Sequence, residues 1–226
     1  LGVSVLLALW FRYAFQAIAT AALMLPVRGR ALLRTAHPRY QAARGALLLF
    51  TSLFTFLSLK YMPLGEFTAI AMITPLVVTV LAATLLAERV SKLRWALVVG
   101  GFAGTLLIIR PGGELFNWHM LLPLAMVGNY AAFQILTSKM VQTEDAVTMH
   151  FYTGWVGTAL ASLALPSVWV LPQGAGQWAG LLLMGDMGTV GHFPLIFAVR
   201  RTPEATPPPL LSRQLPFALP ARWPCS

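Results

Sequence analysis

Charge is what this sequence has least of. Lys, Arg, Asp and Glu make up 10% of the 226 residues, against about a quarter in an ordinary soluble domain, and only seven residues are acidic. With 58% hydrophobic residues and a mean hydropathy of +0.72, a chain so poor in charge excludes a soluble globular domain and reads as a polytopic membrane protein. Cysteine is nearly absent too: Cys225 stands alone, which excludes an intramolecular disulfide and a cysteine-based metal site. No HExxH, GxSxG or metal-ligand spacing occurs, so neither an enzyme nor a cofactor is expected. Nor is there a signal-peptide pattern; the sequence opens without a Met, directly in apolar residues at Leu1.

The longest charge-free stretch shows which solvent the chain expects. The 21 residues between Glu66 and Glu88 contain no Asp, Glu, Lys or Arg, and at about 1.5 Å per residue a helix of that length spans roughly 30 Å of hydrocarbon. Glu88, Arg89, Lys92 and Arg94 close it. Each charge at a helix centre costs about 2.5 to 3.5 kcal/mol, so the chain is expected to turn there and re-enter at Trp95. Within the span, Thr74-Pro75 removes one backbone hydrogen bond and predicts a bend, tolerable only where neighbours satisfy the freed carbonyl.

Reading every charge-poor run gives seven spans, near 4–26, 45–60, 66–87, 94–109, 118–139, 148–170 and 177–199. Two hold only about 15 residues between flanking charges, which predicts that Arg44, Lys60, Arg94 and Arg110 snorkel to the headgroups. Trp95, Trp118 and Trp178 fall near span ends, where the amphipathic indole favours the interface. The net charge of +9 is carried by short loops, so it reads as a topology signal and not as a nucleic-acid surface. Counting through the spans places thirteen basic residues on one side, with Arg12, Lys60 and Arg110 on the other; the richer side is expected to be cytoplasmic.

The sequence also repeats itself at a constant offset of 140 residues. Leu59-Lys60-Tyr61-Met62-Pro63 aligns with Val199-Arg200-Arg201-Thr202-Pro203, Phe11-Arg12-Tyr13 with Phe151-Tyr152-Thr153, and Gly45 with Gly185. The displacement is five spans, an odd number, so the copies are expected to lie inverted in the membrane, as transporter halves do. By the same offset the first copy lacks an opening helix. The region of the ninth helix, 206–226, is broken by Pro207, Pro208, Pro209, Pro216, Pro220 and Pro224. The expected organisation is a first repeat at 1–110, three helices of a second at 117–203, and an aberrant proline-rich tail at 204–226, out of a ten-span parent.

At these residues the chain resembles the drug/metabolite transporter superfamily, in its EamA-like branch. The resemblance rests on Phe11-Arg12-Tyr13, on Lys60-Tyr61-Met62-Pro63 with Glu66 and Thr74-Pro75-Leu76, and on Glu88-Arg89-Val90-Ser91 leading to Trp95 and the glycines 100, 101 and 104. Gly191-His192-Phe193 and Arg200-Arg201-Thr202-Pro203 resemble second-half equivalents. The resemblance implies an all-α bundle of two inverted five-helix repeats, about seven of whose helices are intact here. It further implies alternating-access movement of a small organic solute, with a non-transporting or inactive fragment as the rival reading.

The expected setting is the lipid bilayer of a bacterial inner membrane, with no nucleic-acid partner and a homodimer left open. Asp186 stands inside the last span, where an acid lines a proton or cation path or is incidental. His192, six residues on, sits on another face. Arg12, where the resemblance places an arginine, and Tyr13 open the first span. Glu66 reads as a partner of Lys60 or a binding group at the mouth of the bent helix that carries Thr74. Asn129, Gln134, His150, Tyr152 and Trp155 supply polar and aromatic lining for a central pocket, or hydrogen bonds between helices.

Overall fold

The computed structural model describes residues 4–86, 90–109, 118–167, 172 and 174–187, and the side chains of all of these except 94, 105–109 and 167. The turn at 87–89, Arg110, His192, the latter part of the last span and the 204–226 tail lie outside the described residues, as do the side chain of Arg94 and the second-half motifs from Gly188 onward.

Among the described residues each predicted span falls on helix, the 66–87 span on two, and there is no strand. Helices α1 (Val5–Arg28), α2 (Pro38–Tyr61), α3 (Leu64–Ala71), α4 (Thr74–Leu85), α5 (Lys92–Ile109), α6 (Leu121–Met140) and α7 (Ala146–Ala164) are followed by α8 at 175–187. Four segments are long and apolar enough to cross a membrane: Val5–Leu33, Pro38–Tyr61, Leu64–Leu85 and Trp118–Met140. The chain is an all-α polytopic membrane protein.

Hydrogen bonding follows the rule of a solvent without water. Thr51, Thr55, Ser58, Thr79, Thr137 and Thr153 each return their hydroxyl to a carbonyl one turn back, at 2.6 to 2.8 Å. The bend at Thr74-Pro75 is a full break, with Met72 and Ile73 forming a turn between α3 and α4. Pro75 has no N–H to give to Ala71, and the Thr74 hydroxyl donates to that carbonyl instead, at 2.6 Å. Helix α1 stops at Gly29, whose φ of 56° lies in the left-handed region and whose N–H closes on the Leu25 carbonyl.

Packing sets the helices side by side in the order α5, α3 with α4, α6, α2, α7, α1, α8. Helices α1 and α7 run antiparallel along their length. Trp10 Nε1 donates to Ser162 Oγ at 2.8 Å near one end, and Arg28 pairs with Asp145 at the other. Between them the helices nearly touch: a methyl group on Gly154 would sit 2.8 Å from the Ala17 amide nitrogen, and one on Gly157 would enter the Tyr13 ring. Gly45 of α2 likewise lies against Val156 of α7, and Gly185 of α8 against Phe15 of α1.

Two adjacent acids on the α6–α7 turn hold the α1–α2 hairpin. Asp145 caps α7 through the amides of Val147 and Thr148, at 3.0 and 3.2 Å, while it binds Arg28. Glu144, 7% exposed, accepts from Thr35 Oγ1 and from the amides of Ala36 and His37 at 2.7, 2.8 and 3.0 Å. It caps the start of α2 from another part of the chain, since His37 makes no side-chain cap of its own.

Three sequence-based expectations are corrected here. Helix α2 begins at Pro38, seven residues before the predicted span, so Arg44 stands in its second turn and not at a headgroup. It is 1% exposed, inside the bundle. Lys60 and Glu66 form no ion pair: Lys60 Nζ lies 5.3 Å from the centroid of the Tyr61 ring, and Glu66 occupies the first turn of α3, where the helix dipole favours an acid. Asp186 is exposed on the surface of the described bundle, not buried within it.

Candidate functional site

A polar stripe runs down α1 at positions 12, 16 and 20, one turn apart, and meets α2, α6 and α7 at two levels. At the outer level Arg12 Nη1 donates to Ser52 Oγ of α2 at 2.8 Å, and the Tyr13 hydroxyl shares that oxygen at 3.0 Å. The guanidinium carbon of Arg12 lies 5.5 Å from the centroid of the Tyr13 ring, and its charge reaches Tyr130 of α6. Tyr130 in turn stacks on Phe133 at 5.9 Å. Arg12 is thus half-buried and turned into the bundle; it is not splayed toward the headgroups.

At the inner level Arg44 joins three helices. Its Nε donates to Thr137 Oγ1 of α6 at 2.9 Å and its Nη1 to the Met149 carbonyl of α7 at 2.8 Å, while its guanidinium lies over the Phe133 ring at 5.1 Å. Gln16 Nε2 donates to the next carbonyl of α7, that of His150, at 3.0 Å and lies 3.4 Å from His150 Nδ1. Phe133 separates the levels, with Tyr130 on one side and Arg44 on the other. Burial at the inner level is nearly complete for Gln16, Gln41, Arg44 and His150. A charge placed so deep is expensive, and intramembrane charges mark functional sites by default.

Of the residues singled out in the sequence, Arg12, Tyr13 and His150 belong to this constellation. Asn129 and Gln134 are half-buried on α6; Asn129 Nδ2 gives a hydrogen bond to its own helix at Ala125 O, 2.9 Å. Thr74 spends its proton on Ala71. Tyr152 reaches away to the Leu33 carbonyl at 2.9 Å, and Trp155 is exposed. Glu66 and Asp186 sit apart from the constellation, and His192 lies outside the described residues.

Sequence reasoning missed Arg44, Gln41 and Gln16. The signal was there in part: Gln41, Arg44, Leu48 and Thr51 recur at helical spacing, and all four are buried. Outside the spans it missed the Glu144-Asp145 pair. Burial alone would raise the Asp145 carboxyl. The hydrogen bond from Arg28, the amides of Thr148 and Val147 and the nearby Arg28 charge outweigh this and hold it below its ordinary value.

Residues 2–110 match the model of the EamA-like transporter family. The chain is 31% identical over 193 residues to the S-adenosylmethionine uptake transporter of Rickettsia felis, which covers 84% of this chain and 64% of that protein. It is 29% identical over 192 residues to the S-adenosylmethionine uptake transporter of Rickettsia bellii, with the same coverage. Against the riboflavin transporter of Vibrio cholerae it is 27% identical over 162 residues, or 71% of this chain and 54% of the other. The chain therefore spans less than two thirds of the length of these relatives. A solved crystal structure, 19% identical, superposes with a TM-score of 0.69 over 88% of this chain and 71% of its own, and shares the fold.

Proposed function

Because the chain belongs to the EamA-like transporter family of the drug/metabolite transporter superfamily, we propose that it carries a small organic metabolite across a bacterial plasma membrane by alternating access. The observation that carries this reading is the two-level polar stripe between α1, α2, α6 and α7, with an arginine at each level, half-buried at the outer and buried at the inner. A bundle that only needed to be stable in lipid gains little from burying charge. A carrier needs polar groups there to replace the hydration of its solute.

The reading takes residues 1–110 and 117–203 as two inverted repeats. The antiparallel crossing of α1 with α7 supports it, since these helices occupy matching places in the two copies. So do the 140-residue pair Gly45 and Gly185, each set against the helix that the other's copy provides. Rocking of one half on the other about that crossing exposes the stripe to each side in turn. Solute contact is assigned first to Arg12 and Tyr13, with His150 of the same constellation and the half-buried Asn129 and Gln134 of α6. Asp186 on α8, Glu66 and Thr74 on either side of the break, Tyr152 and Trp155 on α7, and His192 form an outer set. The solutes named for the relatives, S-adenosylmethionine and riboflavin, are the first to test.

The experiment is uptake of radiolabelled S-adenosylmethionine and riboflavin by proteoliposomes holding the purified chain, with Arg12→Gln alongside. The expected result is saturable uptake of one of them, reduced at least tenfold by Arg12→Gln in a variant of unchanged helix content. Uptake equal to that of empty liposomes for both solutes contradicts the reading.

A further inference from the structure

The outer arginine gives a hydrogen bond to the Ser52 hydroxyl; among the described residues the inner one is not matched by an acid. Among the described residues no carboxylate pairs with Arg44, although it is 1% exposed. A guanidinium has five N–H donors. Thr137 Oγ1 and the Met149 carbonyl receive Nε and Nη1, and Phe133 covers one face. The two acids of the α6–α7 turn are committed elsewhere, Asp145 to Arg28 and Glu144 to the 35–37 segment.

A second, independent feature faces the same turn of α7. Gln16 and Arg44 donate to consecutive carbonyls, His150 O and Met149 O, so their side chains converge within one turn. Gln16 Oε1, Gln41 Oε1 and Thr20 Oγ1 are buried with no hydrogen-bond partner among the described residues. Buried polar atoms are seldom left so, because nothing repays the loss of their hydration.

We infer that Arg44 and the amide oxygens of Gln16 and Gln41 form an anion-recognising subsite for a solute that bears one carboxylate beside N–H or O–H donors. One guanidinium neutralises one carboxylate in the planar, forked geometry it favours. A phosphate monoester brings close to two charges and would leave the dry bundle negative. The glutamine oxygens accept what the carboxylate cannot, the donors of an ammonium or hydroxyl group.

This inference rests on the carrier reading and names the solute class for its site. Binding is measured on the purified chain in nanodiscs with three probes: S-adenosylmethionine, its carboxamide, and riboflavin, which has no carboxylate. The expected result is at least tenfold tighter binding of the carboxylate than of the carboxamide, with the preference lost in Arg44→Gln and partly kept in Arg44→Lys. Because the probe comparison is made on the wild-type chain, it holds even if a variant fails to fold. Equal binding of carboxylate and carboxamide, or riboflavin binding alone, overturns the subsite and leaves the carrier reading standing. No binding of any probe by the folded chain overturns both.

Discussion

Thr74 shows at the level of one residue how a local solution can look like a functional group. Its place beside Pro75 in a bent span invites a binding role, yet its hydroxyl goes to the carbonyl that the proline leaves free. Thr74→Val is therefore expected to destabilise the bundle by about 1 to 3 kcal/mol, with Thr74→Ser near wild type, read from denaturant unfolding in micelles. Asp145 gives a second residue-scale expectation. Arg28 and the α7 amides hold its carboxyl below the ordinary aspartate value, so the stability it contributes is complete above that ordinary value and is lost as pH falls through the depressed one. The melting temperature of wild type relative to Asp145→Asn should stay constant from pH 7 to about pH 5 and converge as the carboxyl protonates. A difference that grows on acidification contradicts this. Neither role was legible in the sequence, because Arg28 lies 117 residues from Asp145 and the Ala71 bond depends on the geometry of the break.

At the scale of elements, the sequence revealed the spans and hid one beginning. Where the apolar runs are described they are helical, because in a hydrocarbon solvent a helix satisfies its own backbone. The start of α2 escaped because a reading by charge puts arginine at a span end, whereas Pro38 at the helix start and the acceptors on α6 and α7 let Arg44 go inside. Those acceptors lie 93 and 105 residues away, beyond what any local pattern shows. The glycines were legible as close-packing residues, but not which helices they join. Gly157→Leu places a side chain into the Tyr13 ring, and Gly45→Leu into Val156. Each is expected to cost about 1 to 3 kcal/mol or more by overpacking, seen as a drop in melting temperature, whereas Gly100→Ala, with open space at its Cβ, should be neutral. Glu144→Gln keeps an acceptor for the 35–37 segment, while Glu144→Ala is expected to lose about 1 kcal/mol of helix capping, measured in the same melts.

For the whole molecule, hydropathy and the loop charges sufficed to read a polytopic bundle, and the motifs around Arg12, Lys60 and Thr74-Pro75 sufficed for the family. The candidate site was legible only in part. Arg12, Tyr13 and His150 drew notice as polar residues in apolar surroundings, but which of several such residues converge is a property of helix packing. The loop charges predict that a single cysteine at Arg30, in a Cys225→Ser background, reacts with an impermeant thiol reagent only from the cytoplasmic side, and one at Lys60 only from outside. The measurement that bears most directly on the central claim is solute counterflow. Proteoliposomes holding the chain and loaded with unlabelled S-adenosylmethionine or riboflavin are given a trace of the same solute in labelled form. An alternating-access carrier predicts a transient overshoot of label that depends on the internal load. Label that enters only to equilibrium, whatever the load, or does not enter at all, contradicts the account.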